Sequence, residues 1–167
     1  LIIADEHDLI AIHAWNYDSV MHKFGPESPE ALGELRLNDS EEKIPLFSEV
    51  LETLGEVPVS CEIKTAGAAF DADFLEGTYQ LLKDYKGDFN VISFNPFVLE
   101  WFKNNHPEVI RGQLSAGNGH IGSKSRFEWV LANLMLNFKS KPDFISYKFD
   151  DKSLGFLLNR FYGTRLC

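Results

Sequence analysis

Glu62 and Lys64 are the pair of residues in this sequence whose types and spacing best fit a chemical task. They lie in the strand-like run Val59-Ser60-Cys61-Glu62-Ile63-Lys64, and side chains two residues apart in a strand point to the same face. A carboxylate and an ammonium on one enclosed face are costly unless they are paired or used. The pair therefore predicts either a structural ion pair or a metal-binding carboxylate beside a cation that contacts phosphate.

His13 is the candidate for proton transfer, because it closes the apolar run Leu9-Ile10-Ala11-Ile12 and so lies where a predicted strand ends. An imidazole has an ordinary pKa of about 6.5 and can act as an acid or a base at neutral pH. A lone histidine at such a position is more often an ordinary hydrogen-bonded residue. Spacing alone therefore does not assign a catalytic role to His13.

Aromatic residues follow two of the predicted strands. Phe94 and Trp15 could line the wall of a binding pocket, although filling of the core or cover by a loop is the simpler explanation for Phe94 and an equally simple one for Trp15. His120 lies on a flexible loop after a strand and could touch a ligand, whereas His106 falls in a helix-to-strand connection. The sequence contains no G-x-S-x-G motif, no Cys and His metal spacing and no P-loop.

Strand-like and helix-like runs alternate along the chain. The predicted strands are 9–12, 59–64, 89–94, 110–115 and 143–149, with a further one at 1–4. One predicted helix begins at Pro45 and ends before Gly55. The other predicted helices cover 71–85, 97–104 after the cap Asn95-Pro96, 125–138 and 153–161. Strands that alternate with helices of this length indicate parallel βαβ units.

Two features favour a barrel over an open doubly wound sheet. No G-x-G-x-x-G turn follows a strand, and polar or ionisable residues recur at strand carboxyl ends, where barrels build their active sites; these residues are His13, Glu62, Lys64, Ser93, Asn95, Ser115 and Lys148. A complete barrel needs about 250 residues, and the chain has 167. We predict an α/β fold, a TIM-type (β/α) barrel that is incomplete in this chain, as a single domain over residues 1–167.

Composition narrows the classes of partner. A net charge of -9 without a basic cluster argues against nucleic acid, but it leaves room for a small phosphate ester in a local pocket. No run of about 18 apolar residues could span a bilayer, and the start at residues 1–6 lacks the features of a signal peptide. The distant cysteines, Cys61 and Cys167, favour a reduced, cytoplasmic chain.

Several motifs together resemble those of the glycerophosphodiester phosphodiesterase family. Lys43-Ile44-Pro45-Leu46-Phe47-Ser48-Glu49-Val50-Leu51, followed by the strand at 59–64, resembles the family's "IPTLEEVL…IEIK" signature. Ile92-Ser93-Phe94-Asn95-Pro96 resembles its "SF-(N/D)-P" turn, and Arg111-Gly112-Gln113-Leu114-Ser115 resembles its "RG-L" strand. The resemblance runs over most of the chain.

The resemblance implies hydrolysis of glycerophosphodiesters to glycerol 3-phosphate and an alcohol. By position, His13 matches one of two catalytic imidazoles, Glu62 a ligand of a divalent metal, Ca²⁺ or Mg²⁺, and Lys64 the lysine that holds the phosphate. Phe94 is the expected substrate-binding aromatic residue. Oxygen ligands, a cation and imidazoles suit metal-assisted phosphoryl chemistry.

The sequence departs from the family pattern at four points. The His-Arg-Gly strand and the Glu-x-Asp metal ligands are expected before residue 1, and a last strand with a tryptophan is expected after residue 167. Ala14 stands where the family has an aspartate after the histidine. The alternative to an enzyme is therefore a catalytically inactive relative that binds a phospholipid headgroup or a protein partner.

Overall fold

The computed structural model describes residues 2–4, 10–12, 41, 45–65, 69–115, 134–147 and 165–166. Within these ranges the elements, in chain order, are β1 (Ile2–Ala4), β2 (Ile10–Ile12), α1 (Phe47–Leu54), β3 (Val59–Glu62), α2 (Ala72–Lys83), β4 (Phe89–Ser93), α3 (Pro96–Asn105), β5 (Arg111–Ser115), α4 (Asn137–Ser140), β6 (Phe144–Tyr147) and β7 (Arg165–Leu166). The strands predicted from periodicity are confirmed to within two residues at each described end.

The strands form one sheet in the order of the sequence, β1-β2-β3-β4-β5-β6-β7. Every pair from β2 to β7 is parallel. A doubly wound sheet reverses its strand order part-way, and the described strands do not, which agrees with the order expected for (β/α) barrel units. In the described residues the sheet is not seen to close, and a full barrel stays a prediction.

The strand β1 departs from the parallel pattern, because it pairs antiparallel with β2 through Ile2 with Ile12 and Ala4 with Ile10. Only residues 5 to 9 separate these strands. A parallel pair needs a crossover of a dozen or more residues. A connection of this length therefore permits only the antiparallel arrangement. The short β7 was not predicted from the sequence.

Local signals set the helix ends largely as predicted. Asn95 caps α3, where its side chain accepts from the Phe97 backbone N–H and Pro96 follows at the first position. Gly55 closes α1 with a φ of 65°, a left-handed backbone that favours glycine. Pro45 is not the first residue of α1, since the N-cap is Leu46.

The helix expected over 125–138 is wrong at residues 134–136 and confirmed at 137–138, its only described residues. Residues 134 to 136 form a turn and α4 begins only at Asn137. Leu134 is buried and has a φ of 56°, so packing against its neighbours holds it outside helical geometry. The remainder of that prediction, and the helix expected over 153–161, lie outside the described residues.

The core lies between the helices and one face of the sheet. Leu51 of α1, Leu75 of α2 and Phe102 of α3 are buried against Ile63 and Val91 from the strands. Because side chains alternate along a strand, the residues between these, such as Ser60 and Glu62, point to the opposite face. That opposite face is the interior in a barrel, and it carries the candidate site.

Candidate functional site

Glu62 is the last residue of β3, and Lys64 follows it on the same side of the backbone. Lys64 Nζ lies 3.9 Å from Glu62 Oε2, so the predicted approach of the two side chains is confirmed. At that separation the contact is an ion pair but too long for a direct hydrogen bond. The pair lies at the carboxyl end of a parallel strand, where barrel enzymes bind their substrates.

The two side chains differ in burial. Glu62 is 11% exposed and Lys64 is 38% exposed, so the carboxylate lies deeper than the ammonium. Glu62 Oε1 is buried and has no hydrogen-bond partner within the part of the chain that the structure describes. A buried carboxylate oxygen without a donor is costly unless something else satisfies it. Among the described residues, Gln113 Oε1 on β5 is also a buried acceptor without a hydrogen-bond partner, so Glu62 Oε1 is distinguished by its charge and by its place at a strand end.

Cys61 packs on the opposite side of β3, against the core beneath the helices. It is a free thiol. Burial, with a smaller contribution from the neighbouring Glu62 carboxylate, raises the pKa of Cys61 to about 12. A thiol with so high a pKa stays neutral and unreactive at physiological pH, so Cys61 is a core residue and not a nucleophile.

The segment that follows β3 is tied to the end of β4. Ser93 Oγ donates to the carbonyl of Ile63 over 2.6 Å, and the Asn95 backbone N–H donates to Ser93 Oγ over 3.0 Å. The Asn95 side-chain amide donates to Thr65 Oγ1 over 2.9 Å. Ser93 and Asn95, noted in the sequence as polar residues at a strand end, therefore bind the chain on both sides of Lys64.

Gln113 of β5 is a buried polar residue that sequence reasoning did not single out. Its side-chain amide lies 3.1 Å from each of the carbonyls of Ser93, Phe94 and Leu114. Gln113 thus braces the turn between β4 and α3 from the neighbouring strand. The sequence signal for Gln113 was a polar amide within a predicted buried strand. Its partners could not be found from that signal, because Ser93 and Phe94 lie 20 and 19 residues away in the sequence.

Phe94 begins the turn after β4, and half of its side chain is exposed. It does not fill the core, so one of the simple explanations for it is wrong. Its ring is accessible at the same end of the sheet as Glu62 and Lys64. A substrate-binding role for Phe94 stays a prediction.

The predicted histidines fall in different regions. His13, together with Trp15 and His120, lies outside the described residues. His106 ends α3, in the helix-to-strand connection predicted for it, and its ring stacks on Tyr79 at 3.5 Å between centroids. Its Nε2 lies 2.8 Å from Glu76 Oε2. This cluster joins α2 to the connection before β5, at the amino ends of the strands and away from Glu62.

The comparisons with known proteins rest on the fold. The chain is similar to a protein from Galdieria sulphuraria that is provisionally named a glycerophosphodiester phosphodiesterase, with a TM-score of 0.61 and 16% sequence identity. The match covers 85% of this chain and 56% of that one. It is also similar to a glycerophosphodiester phosphodiesterase from Parabacteroides distasonis ATCC 8503, with a TM-score of 0.55, 15% identity, and coverage of 98% of this chain and 62% of that one.

The likeness shows a shared fold. The chain spans less than two thirds of either neighbour. Both neighbours carry the family name to which the sequence motifs also point. No family model matches the chain, and no curated protein matches it significantly. Among the described residues, no helix is both long enough and apolar enough to cross a membrane.

The fit of a divalent cation, which the sequence resemblance implies, can be tested on Glu62. Its unpartnered Oε1 is an oxygen donor of the kind that Ca²⁺ and Mg²⁺ prefer. Across the ranges that the structure describes, no group of three or more His, Cys, Asp or Glu residues gathers around a common point. Glu62 therefore fits as one ligand, and the described residues do not supply a complete set.

Proposed function

We propose that this chain is part of an enzyme that hydrolyses glycerophosphodiesters to glycerol 3-phosphate and an alcohol, with the help of a divalent metal. The observation that carries the proposal is the pair at the carboxyl end of β3: a mostly buried carboxylate with one unsatisfied oxygen, beside a partly exposed ammonium. Hydrolysis of a phosphodiester is accelerated by positive charge around the phosphate oxygens, and an ammonium and a bound cation can both supply it. The fold shared with the two neighbours supports the same reading.

Each residue has a distinct role in this proposal. Lys64 contacts the phosphate, because its ammonium is accessible and offers donors to a non-bridging oxygen. Glu62 offers its free oxygen to Ca²⁺ or Mg²⁺ and also draws the Lys64 ammonium toward the strand end. When bound, the metal would withdraw negative charge from the phosphate oxygens. Phe94 offers an apolar wall to the alcohol or glycerol portion of the substrate.

We assign proton transfer to His13, which would accept a proton from the nucleophile or give one to the leaving alcohol. The support is the position of His13 in the sequence: it follows β2 directly, and β2 pairs in parallel with β3, the strand that carries Glu62. His13 itself lies outside the described residues.

The test measures release of glycerol 3-phosphate from glycerophosphocholine by the intact protein in the presence of Ca²⁺ or Mg²⁺. Glu62→Gln removes the charge while keeping the side-chain length, and we expect activity to fall at least about a hundredfold. Glu52→Gln is the matched control, since it makes the same chemical change on an exposed residue of α1. His13→Ala and Lys64→Ala complete the set.

Activity in the parent and in Glu52→Gln, with loss in the other three variants, is the expected result. If the intact protein releases no glycerol 3-phosphate, hydrolysis is the wrong function. If it is active and Glu62→Gln and His13→Ala are as active as Glu52→Gln, the site lies elsewhere in the molecule.

A second candidate function is that of an inactive relative that binds a phospholipid headgroup or a protein partner. The observation that favours it is Ala14, which stands after His13 where the family pattern has an aspartate. Binding of glycerophosphocholine by the intact protein without turnover would favour this candidate. The cytoplasmic location predicted from the sequence is a further proposal, tested by fractionation of cells that produce the protein.

A further inference from the structure

Lys64 cannot be held in place by its own side chain. The Lys64 side chain is 38% exposed, and its contact with Glu62 is an ion pair at 3.9 Å. Partly exposed ion pairs add little to stability, and a lysine side chain has many rotamers to lose. The direction in which Lys64 leaves the backbone must therefore come from the main chain on either side of it.

The main chain on both sides is fixed by hydrogen bonds to the next strand and its turn. Before Lys64, the Ile63 backbone N–H donates to the carbonyl of Ile92 over 2.9 Å, and the Ile63 carbonyl accepts from Ser93 Oγ over 2.6 Å. After Lys64, Thr65 Oγ1 accepts from the Asn95 side chain over 2.9 Å. The residues in contact across this junction lie about 30 positions apart, so the junction is tertiary structure.

Asn95 joins this junction to α3. Its Oδ1 accepts from the Phe97 backbone N–H as the helix cap, while its Nδ2 donates to Thr65. Both ends of one buried amide are thereby used, and its orientation is determined by the cap. Gln113 adds a brace to the same turn through the carbonyls of Ser93 and Phe94. The bond to Thr65 thus comes from a donor that is itself held firmly.

We propose that Thr65, held by Asn95 and together with Ser93, positions Lys64 to receive a phosphate group. The inference rests on the proposed function, because it takes Lys64 as the phosphate contact. Thr65 is a positioning residue in this scheme and does not touch the substrate. The chemical class of ligand is a phosphate ester or inorganic phosphate bound through the Lys64 ammonium.

The chain provides a matched control in Ser60. Ser60 Oγ donates to Asn90 Oδ1 over 2.8 Å, again between β3 and β4 and again across 30 residues. This bond lies lower on the same pair of strands and does not flank Lys64. Each variant loses a hydroxyl that bonds β3, or the segment after it, to the β4 segment, but only Thr65 is adjacent to Lys64.

The experiment compares Thr65→Val, Thr65→Ser and Ser60→Ala in the intact protein, each with and without Lys64→Ala. Two quantities are measured: kcat/KM for glycerophosphocholine, and the Kd for inorganic phosphate by calorimetry. We expect Thr65→Val to lower kcat/KM and to weaken phosphate binding about tenfold, while Thr65→Ser restores both. Ser60→Ala should stay within about twofold of the parent.

The decisive comparison is the double variant. If Thr65 acts through Lys64, Thr65→Val has less than about a twofold further effect once Lys64 is alanine. If the role of Thr65 is merely structural, Thr65→Val has the same effect with lysine or with alanine at position 64, and Ser60→Ala has as large an effect as Thr65→Val. Either result would overturn the proposal. Should Thr65→Val fail to fold, Ser93→Ala takes its place in the same cycle.

The outcome for the positioning role is separable from the outcome for the enzyme. An inactive parent whose phosphate binding still couples Thr65 to Lys64 refutes hydrolysis and supports the positioning role. An active parent without that coupling supports hydrolysis and refutes the positioning role. A parent that neither turns over the substrate nor binds phosphate refutes both.

Discussion

Gly112 lies at a point in β5 where a larger residue meets its neighbours on both sides. The sheet register pairs Gly112 with Ile92 of β4 and with Phe144 of β6. A Cβ built on Gly112 would overlap the Phe144 ring at Cζ and would lie 2.8 Å from the Ile92 Cγ2. Both contacts are far inside van der Waals distance, so Gly112→Ala forces the Phe144 ring or the strand to move.

The sign of the effect depends on two opposing contributions. Overpacking costs about 1–3 kcal/mol, while replacing glycine by alanine in a regular element regains about 0.5–1 kcal/mol of backbone entropy. Because the Phe144 ring is only half-buried and can swing partly away, we expect a net loss of about 1–2 kcal/mol in the free energy of unfolding. For a chain of this length that lowers Tm by about 2–8 °C.

Urea and thermal denaturation of the intact protein measure the effect. Gly77→Ala in α2 is the matched control, because a Cβ there has nothing within 4 Å and should stabilise by about 0.5–1 kcal/mol. The same chemical change is thus expected to have opposite signs at the two sites. A Gly112→Ala variant at least as stable as the parent would refute the reasoning, as would a Phe144→Leu partner change that fails to relieve the loss.

Three further predictions concern other contacts. Arg111→Lys should lower the free energy of unfolding by about 2 kcal/mol in urea denaturation. The reason is that the buried guanidinium contacts the Asp143 carboxylate and two backbone carbonyls, which one ammonium cannot span. An unchanged free energy of unfolding would contradict this prediction. Cys61, with its pKa raised to about 12, should react with iodoacetamide only on unfolding, and rapid native labelling would contradict its burial. The Tyr79 hydroxyl lowers the pKa of Glu108, so this contact adds stability above the unfolded carboxyl pKa of about 4.3 that is lost as pH falls. Tyr79→Phe should show a shallower fall in acid denaturation, and an unchanged pH profile would count against the contact.

Much of the architecture follows from local patterns and was predicted from them. Asn95-Pro96 and Gly55 set helix ends because capping and left-handed backbone are properties of a few adjacent residues. The turn at Leu134 was missed because a strong helical period is overridden by burial against distant residues. The antiparallel β1 was missed although the short connection at residues 5 to 9 already required it.

By itself the sequence determined that Glu62 and Lys64 point to one side of β3, because the two-residue period of a strand is a property of the local backbone. Only the tertiary structure decided what surrounds them. The unsatisfied oxygen of Glu62 and the bonds of Ser93 and Asn95 on either side of Lys64 arise where β3 meets β4. Contacts across about 30 residues depend on how the strands pair, and no local pattern encodes that pairing.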